Sequence, residues 1–401
     1  MGCIGIIGGG AAGVIAALKA SECRDNFIYI FEKNPRILKK LLSTGNGRCN
    51  ITNTCISAEK YGIDRQSAPA RILERYPHSA VLNYFESLGL YTYTDASGRV
   101  YPRSNQAAGV VDILRHALER ENICVLTEHS VSSVKKSGEL FNIFTDKGAY
   151  TADKVIVACG GPAAPALGGS SSGFAILSSF GHRITAPRPS LVQIKTDNTY
   201  PKSLKGIKAS ARLNICEDGS ILSEVCDEVL FTEYGLSGPA ALNASKGNFF
   251  DDPSRKFYAE LDFMSEYSSA RALEIVSDLA SKGLGCEDLL TGLMHKRLGQ
   301  AVIKRAGIPL SKNASLLSKA DISKIADTAK SFRLDIKGTL GFEHAQVCSG
   351  GACPEDFDDN LESRLIDGLF AAGEVLDVDG ICGGYNLQWA WASGLTAGGS
   401  A

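Results

Sequence analysis

The sequence contains no cysteine pair in the C-x-x-C spacing that zinc sites and dithiol redox centres use. Its 12 cysteines are scattered over 401 residues, a distribution typical of reduced thiols in a cytosolic protein. We therefore expect a cytoplasmic protein that binds no metal. The sequence also has no evident Ser/His/Asp set, so nothing in it indicates a hydrolase.

An excess of charge of one sign is missing, and so is any apolar run long enough to span a membrane. Lys and Arg number 42 and Asp and Glu number 44, which gives a formal net charge of −2. This balance argues against a general nucleic-acid-binding protein, which would show a basic excess. We expect a small-molecule substrate and neither a nucleic acid nor a membrane as partner, and the oligomeric state stays open.

A glycine cluster near the N-terminus has the pattern of a dinucleotide-binding loop. The apolar run Cys3–Ile7 predicts a buried parallel strand, and the next six residues, GGGAAG, fit G-x-G-x-x-G and lead into a helix-forming segment. In this motif Gly8 allows the turn, Gly10 lets the backbone approach a pyrophosphate, and Gly13 lets helix and strand pack closely. The N–H groups of the helix N-terminus would face the phosphates.

A second apolar strand, Phe27–Phe31, ends at Glu32, nineteen residues after Gly13. This is the position of the acidic residue that accepts hydrogen bonds from the ribose hydroxyl of a dinucleotide. A carboxylate there disfavours the 2′-phosphate of NADP. The strand, helix, second strand and terminal acid together indicate a dinucleotide site. The alternative is an ordinary glycine-rich turn between a strand and a helix.

The C-terminal segment favours FAD over NAD. A short strand, Leu369–Ala372, leads directly to Gly373 and Glu374, and a glycine-rich loop then precedes a helix that begins at Tyr385 or Asn386. Two-dinucleotide-fold FAD enzymes commonly end in this way. The carboxylate hydrogen-bonds the ribityl chain, and the helix N-terminus stabilises negative charge on the N1–C2=O edge of reduced flavin. No second G-x-G-x-x-G motif indicates a separate NAD(P)H domain.

A third strand followed by glycines lies between these two motifs, at 155–161 with the sequence VIVACGG. We expect this strand to lie beside the first one, so that one extended cofactor explains all three motifs. The backbone around Val131 is expected to flank the adenine as a parallel edge of the same domain.

Several sequence blocks resemble the YhiN/BaiN/aminoacetone-oxidase-like FAD-dependent flavoproteins, and the resemblance extends over nearly the whole chain. It implies an α/β fold, with a Rossmann-like FAD-binding domain of the two-dinucleotide-fold type and an inserted β-barrel-like plus helical module. It also implies non-covalent FAD. The blocks are KKLLSTGNGRCNITN (39–53), GRVYPRSNQA (98–107), VIVACGG (155–161), FGHRITAPRPSLVQI (180–194), VLFTEYGLSGPAAL (229–242) and GEVLDVDGICGGYNLQWAWASG (373–394).

The chain departs from the family pattern in two places that we expect near the substrate. Ala164 and the run GGSSSG at 168–173 replace the usual Tyr and G-S-T-G-D-G, and Cys348 replaces a Thr. The domain boundaries follow from a composition shift near Pro187, strand-like alternation after it, and helical periodicity further on. We expect an FAD-binding domain of 1–188 and 345–401, a β-barrel-like insertion of 189–264 and 331–344, and a helical subdomain of 265–330.

The loop TGNGRCNITN at 44–53 runs along the flavin in this resemblance. Arg48 supplies a fixed cation there and is the candidate catalytic residue; the alternative is that it pairs with a carboxylate and shapes the loop. Cys49 is interpreted as a small buried residue, with a redox thiol as the alternative. The residues expected to bind FAD are Gly8, Gly10, Ala11, Ala12, Gly13, Glu32, Lys33, Gly45, Asn46, Gly47, Arg48, Cys49, Asn50, Val131, Ala158, Gly160, Gly161, Gly373, Glu374, Asp377, Gly383, Gly384, Tyr385, Asn386 and Leu387.

We expect an FAD-dependent oxidoreductase. The leading hypothesis is a ping-pong reductase in which NAD(P)H, as a transient reductant, delivers a hydride to flavin N5 and leaves. An activated C=C bond, such as an enone of a steroid or bile-acid type, then accepts the hydride. One alternative is an oxidase of small amines of the aminoacetone type that uses O2. Another is a flavin-binding protein in RNA modification or in a partner complex.

Overall fold

The computed structural model describes residues 2–247, 250 and 254–401. Its strands are β1 Gly2–Ile7, β2 Asn26–Glu32, β3 Thr52–Asn53, β4 Thr92–Thr94, β5 Arg99–Pro102, β6 Ile123–Thr127, β7 Val131–Ser137, β8 Leu140–Thr145, β9 Gly148–Ala152, β10 Lys154–Val157, β11 Ile184–Ser190, β12 Ile194–Thr196, β13 Lys208–Glu217, β14 Ser220–Phe231, β15 Gly235–Ser237, β16 Tyr258–Asp262, β17 Phe332–Thr339, β18 Val347–Ala352 and β19 Leu369–Ala371. Its helices are α1 Ala11–Ala20, α2 Ala68–Arg75, α3 His78–Ser87, α4 Ala107–Ala117, α5 Ser172–Ser179, α6 Gly238–Ala244, α7 Ser269–Ser281, α8 Lys296–Arg305, α9 Lys319–Lys330 and α10 Tyr385–Ser400.

The chain divides into two compact units, Met1–Pro189 with Ala345–Ala401, and Ser190–His344. The expected three-part division, with a separate helical subdomain, stays a prediction. In the described residues, no helix combines the length and the apolar character that a membrane span requires.

A parallel five-stranded sheet with the order β19-β10-β1-β2-β6 forms the centre of the first unit. Its strands are short apolar runs, and such runs suit a sheet that is covered on both faces. Ile4, Ile6, Ile28 and Ile30 are all almost inaccessible to solvent. The strands predicted in the three glycine motifs are therefore neighbours, and the predicted Rossmann-like fold is confirmed.

Helices α1 and α10 pack against each other through small residues. A Cβ atom added to Gly394 would lie 2.6 Å from the carbonyl oxygen of Ala12, and one added to Gly398 would lie 2.2 Å from that of Ala16. Only glycine permits such close backbone contact. The C-terminal helix is thereby fixed on the helix that follows the first glycine loop.

The prediction that Val131 lies on a parallel edge of the domain is wrong. The edge strands of the parallel sheet are β19 and β6, whereas β7 begins at Val131 and forms an antiparallel sheet with β8 and β9. The physical reason is the one-sided burial of β7, in which Val131 and Val134 are buried and Lys135 is exposed. One-sided burial is typical of antiparallel hairpins, while parallel strands are usually apolar on both faces.

The second unit contains a closed barrel with the strand order β12-β15-β14-β13-β16-β17. Asp218 and Gly219 join β13 to β14 with φ angles of 46° and 85°, as a type I′ hairpin turn requires. The unit also contains α6 to α9. The periodicity of α7 predicts a shared buried face for Leu273, Val276 and Leu279, but Leu273 is 40% exposed.

We predict that Gly398→Ala destabilises the fold and that Gly399→Ala does not. The new methyl group at position 398 would overlap the backbone of Ala16, which should lower the free energy of unfolding by about 1–3 kcal/mol. At position 399 the nearest atom is a flexible carbon of Lys19 at 3.5 Å, and alanine favours the helix. Both tryptophans of the chain lie on α10, so their fluorescence during urea unfolding reports on this helix. Equal effects of the two changes would contradict the packing described here.

Candidate functional site

The glycine loop after β1 contains two glycines that pack closely against backbone atoms and one glycine that faces open space. A Cβ atom added to Gly8 would lie 2.5 Å from the carbonyl oxygen of Ala158, and one at Gly13 would lie 2.0 Å from that of Gly8. An added Cβ at Gly10 would meet no atom within 4 Å. Because no side chain caps α1, its first N–H groups remain available beside that open space.

Glu32 lies at the end of β2 and is only 8% exposed. Its Oε2 atom accepts a hydrogen bond from the N–H of Gly9 at 3.0 Å. Its Oε1 atom accepts from the N–H of Asn34 at 2.7 Å and from Nδ2 of Asn34 at 2.6 Å. The predicted ribose-binding carboxylate is therefore held directly beside the first glycine loop.

Val131 and Lys33 lie close to this end of the sheet. The N–H of His129, two residues before Val131, donates to the carbonyl of Glu32 at 2.9 Å. The ammonium group of Lys33 is 3.5 Å from the carbonyl oxygen of Gly169, in the serine-rich run that departs from the family pattern. Cofactor contacts of Val131 and Lys33 stay predictions.

The carboxylate of Glu374 joins four distant parts of the chain. Its Oε2 atom pairs with Nζ of Lys40 at 3.0 Å, and its Oε1 atom accepts the N–H of Cys348 at 3.0 Å. A Cβ atom added to Gly161 would lie 3.0 Å from Oε1 of Glu374 and 2.2 Å from Sγ of Cys348. The segments after β10 and β19 therefore meet β18 and the segment before the loop at 44–53 at one carboxylate.

Sequence reasoning missed Lys40 and Asn34 as parts of this site. Lys40 stands next to Lys39 in the sequence, and no local pattern tells which of the two points inward. Asn34 follows Glu32 by two residues, a spacing that could have suggested a local hydrogen bond to the carboxylate.

The C-terminal motif is fixed against the first glycine loop at Gly373. A Cβ atom at Gly373, which has a φ angle of 78°, would lie 2.8 Å from Cβ of Ala12. The N–H of Gly373 donates to Oγ of Ser393 at 2.9 Å, and its carbonyl accepts from Nε1 of Trp389 at 3.1 Å. The residues predicted at the two ends of the chain are thus brought together.

Two C-terminal residues predicted to contact the cofactor use their side chains within the protein. Oδ1 of Asp377 accepts the N–H of Gly350 at 2.8 Å. Asn386 bonds both the N–H and the carbonyl of Gly380, at 2.8 and 3.0 Å, and so closes the loop before α10. These side chains shape the loop, and direct contacts of either residue with a cofactor stay a prediction.

The loop at 44–53 has a strained backbone and is anchored on α10. Gly45, Asn46, Gly47 and Cys49 all have positive φ angles, between 55° and 80°. Its far end is fixed by bonds from Trp391 Nε1 to the carbonyl of Ile51, from Thr52 Oγ1 to Gln388 Oε1, and from Asn53 Nδ2 to the carbonyl of Gly383. These bonds hold the loop beside the start of α10.

Arg48 and Asn50 are the two polar side chains of this loop that matter most for a ligand. The Arg48 guanidinium lies over the ring of Tyr101, 4.4 Å from its centroid, and does not pair with a carboxylate in the part of the chain that the structure describes. Its Nε atom donates to the carbonyl of Gly45 within the loop at 3.4 Å. Whether Arg48 shapes the loop or acts on the cofactor stays a prediction. The Oδ1 atom of Asn50 is buried and has no hydrogen-bond partner among the described residues.

The thiols near the site are protonated at neutral pH. Burial raises the pKa of Cys49 to about 12, although a hydrogen bond with Thr44 lowers it. Burial also raises the pKa of Cys159 to about 12, and burial together with the charge of Glu374 raises that of Cys348. The raised pKa values favour the interpretation of these cysteines as small packing residues over redox thiols. Across the described residues, no group of His, Cys, Asp and Glu could hold a metal ion.

The residues present fit an extended, anionic dinucleotide such as FAD. Gly10, Gly47 and Gly160 face open space, although each belongs to a glycine motif that is otherwise closely packed. Neither α1 nor α10 has a side-chain cap, so both helix N-termini can donate N–H groups to a ligand. The buried, unpartnered oxygen of Asn50 is an acceptor that such a ligand would satisfy.

Residues 3–400 match the family described as the HI0933-like protein Rossmann domain. The chain belongs to this family. It is 37% identical to the 3-dehydro-bile acid delta(4,6)-reductase of Clostridium scindens, with 98% of each chain covered. It is 27% identical to the Ribosomal RNA dihydrouridine synthase of Haemophilus influenzae, with 97% of this chain and 95% of the relative covered. The predicted family and the prediction of a flavin-dependent oxidoreductase are thus confirmed.

A solved structure shares the fold at much lower identity. The crystal structure of 3-ketosteroid delta1-dehydrogenase from Sterolibacterium denitrificans aligns with a TM-score of 0.54 at 11% identity, and the alignment covers 99% of each chain.

We predict that iodoacetamide at pH 8 does not modify Cys49 in the folded protein. With a pKa of about 12, only about one Cys49 thiol in ten thousand is ionised at that pH, and the side chain is buried. Cys23 and Cys55 are exposed and serve as internal controls. Peptide mass spectrometry should find both controls alkylated and Cys49 modified only after unfolding. Labelling of Cys49 as fast as Cys23 would restore the redox-thiol alternative.

We also predict that Lys40→Met weakens FAD binding about tenfold or more, whereas Lys39→Met has little effect. Removing the Lys40 ammonium leaves the carboxylate of Glu374 without its cation, next to where an anionic cofactor would bind. Lys39 is exposed and forms no ion pair in the described part of the chain. Fluorescence titration of the apoprotein with FAD measures both dissociation constants. An unchanged dissociation constant for FAD in Lys40→Met would show that Lys40 does not contribute to the cofactor site.

Proposed function

We propose that this protein is an FAD-dependent reductase that uses NAD(P)H to reduce a C=C bond conjugated to a carbonyl group. The observation that carries the proposal is the junction at Glu374. There the C-terminal motif, the segment after the third strand and the segment before the loop at 44–53 meet, next to the first glycine loop. An extended cofactor explains why motifs so far apart in the chain converge.

Bound FAD would supply the two-electron carrier that takes a hydride from NAD(P)H and passes it to the β-carbon of the enone, while a proton from water completes the product. The chain's own residues bind and orient this carrier. Gly10 and the N-terminus of α1 would hold the pyrophosphate, and Glu32 the adenosine ribose. Lys40 fixes the carboxylate of Glu374 for the ribityl chain.

Residues at the other end of the site would bind the ring of the cofactor. The N-terminus of α10 would face its polar edge, where N–H donors stabilise negative charge, and the Oδ1 atom of Asn50 would accept a hydrogen bond from a ring N–H. The loop at 44–53 is held there by its bonds to α10.

The names of the relatives favour reduction of a C=C bond over oxidation of an amine. The Clostridium scindens relative is named for a 3-dehydro-bile acid and its delta(4,6) double bonds. The Haemophilus influenzae relative is named for dihydrouridine, which is uridine with a reduced C=C bond. Both products differ from their precursors by hydrogen added across a C=C bond conjugated to a carbonyl group.

The second relative makes a uridine of RNA the alternative substrate. The charge of this chain favours the small molecule, since its formal net charge is −2 and a nucleic-acid-binding surface would need a basic excess. An oxidase of small amines is the remaining alternative, and no residue of the site favours it.

Anaerobic spectroscopy of the FAD-loaded protein tests this proposal. NADH or NADPH should reduce the flavin and so bleach its visible absorption band. A cyclic 4-en-3-one should then reoxidise the flavin and restore the band on the timescale of one turnover. The matching saturated ketone is the control and should not restore the band, because it has no C=C bond to accept the hydride. Bleaching by aminoacetone with recovery in air would favour the oxidase. Recovery with a uridine-containing RNA but with no enone would favour RNA modification.

A further inference from the structure

Two arginines flank a buried tyrosine of strand β5, Arg99 from the same strand and Arg48 from the loop at 44–53. Tyr101 is 4% exposed, and the guanidinium of Arg48 lies over its ring and approaches its hydroxyl, with Nη2 at 3.3 Å from the oxygen. Arg99, two residues before Tyr101, projects from the same face of the strand. The positive charges of Arg48 and Arg99 both lower the pKa of the Tyr101 hydroxyl, against a larger rise caused by burial.

Neither guanidinium has a direct carboxylate partner in the part of the chain that the structure describes. Within residues 2–247, 250 and 254–401, neither Arg48 nor Arg99 forms an ion pair with a carboxylate. Asp95 lies in the adjoining turn. Burial raises the pKa of Asp95, but hydrogen bonds with Ser97 and Arg99 and the charge of Arg99 lower it below its usual value, so Asp95 and Arg99 interact without a direct ion pair. The Oδ1 atom of Asp95 is occupied by the N–H and hydroxyl of Ser97 and by the backbone N–H of Arg99. A guanidinium group without a carboxylate partner can bind an anion through parallel hydrogen bonds, and Arg99 is half-buried whereas Arg48 is exposed.

This arginine pair lies between the two loops that would border the cofactor ring. A Cβ atom added to Gly383, just before α10, would be 3.6 Å from Nε of Arg99. One added to Gly45, in the loop at 44–53, would be 3.5 Å from the ring of Tyr101. Arg99 and Tyr101 therefore lie next to both loops that would border the cofactor ring.

We propose that Arg48, Arg99 and Tyr101 bind the carboxylate of the substrate, so that the protein reduces cyclic enones that carry an acidic group. This inference rests on the proposed function. A guanidinium fork matches a carboxylate with two parallel hydrogen bonds, and the Tyr101 hydroxyl beside Arg48 supplies a further polar contact. Two arginines near one tyrosine suit one anionic group better than the series of phosphates along an RNA strand, which requires an extended basic surface.

The test compares an acid with its uncharged analogue in the FAD-loaded protein. The probes are a 4-en-3-one steroid carboxylic acid and the matching primary carboxamide, each added to enzyme that has been reduced with dithionite under anaerobic conditions. Recovery of the flavin band gives a limiting rate and a half-saturation concentration for each probe. The variants are Arg99→Gln, Arg99→Lys and, as the control, Arg103→Gln, which removes an exposed arginine just after the same strand.

We expect the wild-type protein to prefer the acid. Arg99→Gln should raise the half-saturation concentration for the acid about tenfold or more, leave the value for the carboxamide within about twofold, and leave both limiting rates nearly unchanged. Arg99→Lys should show a smaller loss, because it keeps the charge and loses the fork. Arg103→Gln should behave like the wild type.

Several outcomes would overturn this assignment. One is an equal loss for acid and carboxamide in Arg99→Gln, which would indicate a structural role. Another is an Arg99→Gln protein that has a lower flavin midpoint potential or a lower FAD content but keeps the preference for the acid over the carboxamide. This result would indicate that Arg99 acts on the cofactor. If neither probe restores the band in the wild type, the proposed reaction fails. In that case, calorimetry measures the affinity of the matching saturated acid for the oxidised wild-type protein and for oxidised Arg99→Gln. Equal affinities would refute the proposed anion site.

Discussion

The carboxylate of Glu374 is the contact on which the rest of the site depends. It pairs with Lys40, accepts the N–H of Cys348 and packs against Gly161, so it connects segments that are far apart in the sequence. A partly buried carboxylate needs such partners, because an uncompensated charge away from water is costly. The need to satisfy this one group therefore fixes the relative positions of three chain segments that would otherwise be independent.

Close backbone packing supplies the second constraint. Glycines at 8, 13, 373, 394 and 398 each stand where an added Cβ atom would lie within 2.8 Å of another residue, whereas Gly10 stands in open space. The packed glycines join the first glycine loop, α1 and α10 into one rigid support. The open glycine then leaves a gap at the helix N-terminus, and the combination produces a cradle suited to an anionic ligand.

The features that the sequence predicts correctly are those with local causes. The apolar runs, the glycine spacing and the position of Glu32 depend on neighbours along the chain, and they identify the parallel sheet, its order around β1 and the family. The failures have non-local causes. Val131 begins an antiparallel sheet because its strand is buried on one side only, and Leu273 is exposed although its period matches a buried face. The contacts of Lys40 with Glu374 and of Arg48 with Tyr101 become recognisable only after folding, since the partner residues lie at least fifty positions away along the chain.

The most direct test of the central claim is a crystal structure of the protein with FAD. The account predicts one continuous cofactor, with its ribose at Glu32, its pyrophosphate at Gly10 and the N-terminus of α1, and its ring beside Asn50 and the N-terminus of α10. The Lys40–Glu374 pair should flank the cofactor between these ends. FAD bound elsewhere, or bound at Gly10 with its ring directed away from Glu374, would contradict the account.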